Sequence, residues 1–390
     1  MKWLQLCFMI LICWGLFTPA ALAAEQVSPD AMAEQLLNKM DLKVYEDYKQ
    51  QIEKDMQGEL IPASPLEWIR DFMKGESRFD FKKIAGLLLG YLVREVTASS
   101  ALMAKLMVLA VVSALLVNLQ TSFASENVAK IASLACFLAL AAIALGSFKA
   151  MLQLGLSTVT SLADFMTAAL PQLAIVMTGM GNINSATMLF PILVIACSYF
   201  SHLIEAIIFP LITLSAILHL VNNVSDTVKV SNLASLIKNA ALFILGLVMT
   251  MFVGVLTMRA VYSKVLDGLA LRTTTMVVDN FPVIGGFLSD ALNVALGYLV
   301  LLKQAVGVLG IIMVLGICIL PIIKMLAVVL VYKLTAAMVE PMGDQRTSDV
   351  LAVIGDHLSL LTGVVGAVAL MFIIMVSIVA GVSNHVLMLR

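Results

Sequence analysis

The stretch at 298–335, YLVLLKQAVGVLGIIMVLGICILPIIKMLAVVLVYKLT, decides the fold class. A membrane span needs about 20 mainly apolar residues, and this run far exceeds that with only Lys303, Lys324 and Lys333 charged. It is too long for one straight helix, and Pro321 stands near its middle. Either it tilts and kinks as a single span, or it folds back as a hairpin of two shorter ones. The run at 186–222, with Pro210 inside it, poses the same choice. Outward from these, further apolar runs lie at 100–120, 129–152, 235–263 and 361–387. The chain therefore reads as an all-α, polytopic helical membrane bundle.

Composition agrees. The 390 residues are 61% hydrophobic and 13% charged, against roughly 45–50% and about 25% for an average soluble domain. Mean hydropathy is +1.02. Charge is also segregated: residues 25–80 hold 13 of the 25 acids and 7 of the 24 bases, a local net of −6. From 84 to 390 there are 12 acids and 14 bases in 307 residues. That density excludes a soluble enzyme and a disordered regulator, and it lacks the basic face a nucleic-acid binder needs.

The N-terminus has the pattern of a secretory signal peptide over 1–23. Lys2 precedes an apolar core from Trp3 to Phe17, and Ala21-x-Ala23 sets cleavage between Ala23 and Ala24. Cleavage places the mature N-terminus outside the cytoplasm and exports the acidic segment 24–80. Within it, Asp30–Met40, Asp41–Met56 and Leu66–Met73 carry apolar positions at helical spacing, broken at 61–65 by Ile-Pro-Ala-Ser-Pro. Two states are open to so short a segment: packed on the membrane region or a partner, or a solvated arm. Residues 81–98, flanked by Lys82-Lys83 and Arg94-Glu95, read as an interfacial helix leading into a multi-span domain at 99–390.

Proline spacing suggests a tandem repeat. Pro171 and Pro210 are 39 residues apart, as are Pro282 and Pro321. Units at about 129–234 and 235–350, closed by a span at 361–387, would account for these four helix breaks, and internal repeats are typical of transporter folds. Glycine pairs Gly307/Gly310 and Gly363/Gly366 are placed to let helix backbones approach, where lipid supplies no hydrophobic drive.

Motifs of catalysis are missing. The sequence has no phosphate-binding glycine loop, nucleophile elbow or zinc-binding HExxH helix, so no catalytic residue, cofactor or metal is expected. Cys136, Cys197 and Cys318 each lie in an apolar run as packing residues. One constellation carries chemistry: His202 and Glu205, a helical turn apart inside an apolar run. Ionisable groups at membrane depth face a bundle interior or a water path, so the pair reads either as a proton or cation relay or as polar groups at an interface or hairpin bend. Lys324, just after Pro321, is a third candidate, while Lys105 and Lys303 lie near span ends and can snorkel.

Several stretches then resemble one family. Asp267-Gly-Leu-Ala-Leu-Arg-Thr273, Asn280-Phe-Pro-Val-Ile-Gly285, Leu301-Leu-Lys-Gln-Ala-Val-Gly307, Lys238-Asn-Ala-Ala241, and Tyr332-Lys-Leu334 followed by Pro341-x-Gly343 are similar to the stage III sporulation protein AE family of endospore-forming bacteria. The resemblance implies a multi-pass protein of the mother-cell membrane around the forespore. Its implied partners are other membrane proteins of the same sporulation complex and a forespore partner. Together they form a secretion-like channel used after engulfment, in which a homo-oligomer is also open. The alternative, from a different class, is a secondary transporter moving a small solute through its own repeat-related bundle.

Overall fold

Backbone N–H and C=O groups inside lipid have no water to bond, so a long apolar run closes its hydrogen bonds within itself as a helix. The computed structural model describes residues 29–56, 64–76, 81–122, 126–180, 182–224, 229–279 and 285–381, and among these it contains helices and no strands. Three short helices come first among the described residues: α1 (Pro29–Lys39), α2 (Lys43–Met56) and α3 (Pro65–Lys74). The bundle follows with α4 (Phe81–Ala98), α5 (Ser100–Ser122), α6 (Glu126–Gly179), α7 (Ile183–Leu203), a π-turn (Ile204–Ile208), α8 (Phe209–Val224), α9 (Ser231–Asp279), α10 (Gly285–Val339) and α11 (Gln345–Gly381). Among the described residues six helices are long and apolar enough to cross a membrane. The polytopic helical class is therefore the observed one. Ala23, Ala24 and Pro282 lie outside the described residues, as do parts of the stretches that carry the resemblance.

The choice posed by the two longest runs is resolved. The run at 298–335 sits within one uninterrupted helix, α10, with Pro321 inside it. The run at 186–222 is likewise one rod, interrupted only by the π-turn. Neither is a hairpin. Pro171 falls inside α6, whereas Pro210 follows the π-turn, so Pro210 and Pro321 sit in locally different backbone. The expected interfacial segment at 81–98 runs almost unbroken into α5: Ser99 N–H donates to Glu95 O at 2.9 Å and Met103 N–H to Ser99 O at 3.0 Å.

At the centre, α10 and α11 form an antiparallel pair. A Cβ built at Gly307 would lie 2.8 Å from Ala380 Cβ, and one at Gly310 would touch Val376 at 3.6 Å. Nearer the connecting turn, Ser348 Oγ donates to Ala336 O at 3.0 Å. The turn itself is a short 3₁₀ segment (Glu340–Met342) ended by Gly343 at φ +86°, a left-handed conformation that glycine adopts freely. Gly363 and Gly366 face open space, so the second glycine pair brings no helix close. Around this pair pack α4, α5, α6, α8 and α9, and α7 lies outside them against α6 and α9.

Helices α6 and α10 have 54 and 55 residues, about 80 Å at 1.5 Å per residue. A hydrocarbon core is about 30 Å thick, so both outrun it. Beyond its most apolar part α6 turns amphipathic, with Ser157, Thr158, Ser161, Asp164 and Gln172, and there the N-terminal arm α1–α3 is seated. Phe165 receives the ring edges of Tyr45 and Tyr48, with centroids 5.6 and 5.2 Å away. Tyr48 Oη donates to Ser161 O at 3.4 Å, and Asp41 N–H to Gln172 Oε1 at 2.9 Å. The arm also packs along α10. Of the two states open to it, the arm is packed on the membrane region. Helix α3 is closed at both ends, by a reciprocal Ser64–Glu67 capping box and by Gly75.

Candidate functional site

Glu205 and His202 occupy the only π-turn among the described residues, or its edge. Within it Phe209 N–H bonds five residues back, to Ile204 O. Pro210 follows the fault. Its ring crowds the carbonyl four residues earlier, and an extra residue per turn relieves that crowding. Pro171 and Pro321 stay within unbroken α-helix, however, so proline alone does not account for it. The widened turn leaves Glu205 half-buried, accepting from Thr160 Oγ1 of α6 at 2.8 Å. Thr160 also donates to Leu156 O at 3.1 Å, so one hydroxyl hydrogen is shared between backbone and carboxylate. His202 lies on the exposed side of the rod, away from that contact. The pair therefore sits in mid-helix and at no hairpin bend, and the two groups are not brought together.

Lys324 is exposed on the outside of α10, not held against the carbonyl that Pro321 frees. Lys105 is exposed, as snorkelling requires, but Lys303 is completely buried, so it does not reach the interface. Packing of α10 by several helices accounts for this, since a position near the end of an apolar run is not the end of the helix.

A buried histidine cluster joins residues far apart in sequence. His219 of α8 and His357 of α11 lie with ring centroids 5.1 Å apart. Between them Ser215 Oγ is 3.1 Å from His357 Nε2 and 3.4 Å from His219 Nδ1, and it donates to Ala234 O at 2.8 Å. His357 is 2% exposed and Ser215 fully buried. Sequence reasoning missed both histidines. Each stands alone in an apolar run, and only a contact across 138 positions reveals them.

A second polar knot caps α11. Asp344 accepts from Ser113 Oγ at 2.5 Å, from Thr347 Oγ1 at 2.6 Å and from Thr347 N–H at 3.1 Å. Next to it Arg346 Nε donates to Asn223 O at 2.6 Å, and its guanidinium lies 5.1 Å from the Phe137 ring centre. Four elements are tied at this end of the bundle: α5, α6, α8 and the α10–α11 turn.

Midway along the bundle, the seam between arm and bundle opens into a pocket of about 160 Å³. Tyr48, Gln51 and Asp55 of the arm face Ser157, Thr158 and Ser161 of α6 and Pro321 of α10 across it. Burial, with the Asp164 carboxylate adding to it, raises the Tyr48 phenol above its ordinary value, and burial alone raises Tyr45. Both hydroxyls therefore stay protonated and uncharged. Among the described residues no group of three metal-binding side chains converges.

A long helical bundle with polar knots at depth and a polar arm folded on one end defines a multi-span membrane protein. The family model of stage III sporulation protein AE matches residues 64–383. The stage III sporulation protein AE of Bacillus subtilis (strain 168) is 30% identical over 334 residues, which covers 85% of this chain and 84% of that protein. The chain belongs to the stage III sporulation protein AE family and is a sporulation membrane protein. No solved structure matches it.

Proposed function

We propose that the chain is a membrane-embedded platform of the complex that joins mother cell and forespore after engulfment, sited in the mother-cell membrane around the forespore. Family membership supports the setting. The observation that carries the role is the seated arm, whose outer face keeps Lys43, Asp47, Lys54, Glu67 and Glu76 exposed. After removal of the leader at Ala23-Ala24 that face meets the space between the two membranes. There it offers a polar docking surface to the other membrane proteins of the complex and to the forespore partner. The bundle contributes a scaffold or conduit. A tandem relation of 129–234 and 235–350 belongs to the same proposal.

Deletion of the gene tests it. Cells lacking the protein grow normally and stall in sporulation after engulfment. A growth defect with intact sporulation overturns the reading.

One observation favours a second reading, a secondary transporter: the half-buried Glu205 on a π-turn, a distortion common at functional sites. Glu205→Gln and Lys324→Met separate the two. A platform tolerates both substitutions, whereas a transporter loses activity while the complex still assembles.

A further inference from the structure

The cluster around His357 has more acceptors than a neutral ring and one hydroxyl can each serve with a separate hydrogen. Val353 O, Ala234 O and Ser215 O are carbonyls and only accept. His357 Nδ1 lies 2.8 Å from Val353 O, so that nitrogen carries hydrogen. Ser215 has one hydroxyl hydrogen, and it points to Ala234 O at 2.8 Å. The remaining contact is Ser215 Oγ to His357 Nε2 at 3.1 Å. With a neutral ring, Ser215 must share its one hydrogen between Ala234 O and Nε2. With a second proton on Nε2, each contact has a hydrogen of its own.

His219 is satisfied in its neutral form. Its Nδ1 lies 3.0 Å from Ser215 O and donates there, while Nε2 is 3.5 Å from Ser235 Oγ, which is exposed. The chain Ser235, His219, Ser215, His357 thus runs from the surface to a buried ring through contacts of 3.5, 3.4 and 3.1 Å. The charged groups around it are Lys238 on α9 and Asp356 on α11. Asp356 is itself paired with Lys333 of α10 at 2.8 Å.

We propose that His219, Ser215 and His357 form a proton-sensing site, loaded from the Ser235 side, whose second proton on His357 fastens α11 to the α8–α9 pair. The transfer balances. A proton from water joins His219 Nε2, the Nδ1 hydrogen of His219 passes to Ser215 Oγ, and Ser215 passes its own hydrogen to His357 Nε2. His219 ends neutral in its other tautomer, giving up its bond to Ser215 O, and His357 ends as imidazolium. Beyond it the next partner is the Val353 carbonyl, which cannot pass a proton on. The site is a dead end, so it stores and senses protons and is no through-path.

Ring NMR of the full chain, labelled with ¹⁵N-histidine in lipid nanodiscs and titrated from pH 5 to 8.5, tests this. The His357 ring carries both protons at pH 5 and loses one within the window. Ser215→Ala moves that midpoint down by about one pH unit or more, the loss of one charge-assisted hydrogen bond. His357→Gln identifies the signal, and the ring contact with His219 identifies it if that variant does not fold. A His357 ring that keeps one tautomer throughout, or a midpoint unmoved in Ser215→Ala, overturns the proposal.

Discussion

Asp344 serves three hydrogen bonds at once and starts α11, so its carboxylate both caps a helix and ties α5 to it. Asp344→Ala leaves the Ser113 and Thr347 hydroxyls with only their mutual 3.3 Å contact and strips the Thr347 N–H of its partner, in a buried place. Lost caps cost about 1 kcal/mol and orphaned buried groups roughly 1–3 kcal/mol each. The expected loss is therefore at least about 2 kcal/mol, read as a lower melting temperature in detergent, with Asp344→Asn milder. The arm gives a pH prediction. Tyr45 and Tyr48 titrate above the ordinary tyrosine value of 10.0 in the folded chain, through burial. Their contribution is full below that value and is lost as pH rises past it, because the undocked phenols ionise first. The arm therefore undocks in alkali, at pH above about 10, as limited proteolysis at α1–α3 would show. No loss of protection there sinks the idea. At this scale the sequence was only partly legible. His202 and Glu205 were visible because they are three positions apart, and Lys324 because it follows a proline. His219 and His357 were not, since nothing local marks a histidine whose partner is on another helix.

Helices α6 and α10 show what an apolar run does and does not say about an element. Runs at 129–152 and 298–335 identify a span, and each falls inside a helix of more than twice the needed length. Their ends were hidden because the helices continue as amphipathic rods once the arm covers them, and amphipathic stretches read like separate elements. The π-turn was hidden for another reason: one surplus residue leaves no compositional trace. Deleting Ala206 removes that residue, restores regular α-helix and keeps both flanks in register. The variant folds, by circular dichroism and size-exclusion in detergent, but Glu205 turns away from Thr160. A sporulation defect in a folded Ala206 deletion assigns a role to the distortion, and normal sporulation denies it one. Gly307 makes the corresponding packing prediction. Its missing Cβ would stand 2.8 Å from Ala380 Cβ, which is fixed to backbone and cannot swing aside. Gly307→Leu forces α10 from α11 and costs roughly 1–3 kcal/mol or more, read as lowered melting temperature, whereas Gly363→Ala is neutral.

For the molecule as a whole, α11 separates the two ends. Asp344 lies at one and Val379, beside Met177, at the other, about 50 Å apart at 1.5 Å per residue. That exceeds the hydrocarbon thickness of about 30 Å, so a bundle whose α11 crosses the bilayer is expected to present the arm end and the Glu340–Gly343 turn on opposite sides. A cysteine at Glu76 and one at Glu340 should react with an impermeant thiol reagent from opposite faces of sealed vesicles. Labelling of both from one face contradicts the arrangement. The seated arm also has a history. It is the first described part of the chain to be made, yet one wall of its seat, around Pro321, is translated roughly 270 residues after Tyr48. At about 5–20 residues per second, the interval is on the order of tens of seconds. During it Tyr45, Trp68 and Ile69 have nowhere to hide, and a protease or a chaperone has its best opportunity. An early segment of the chain is thus among the last to find its place, and a seated arm implies that the bundle has been made at least through Pro321.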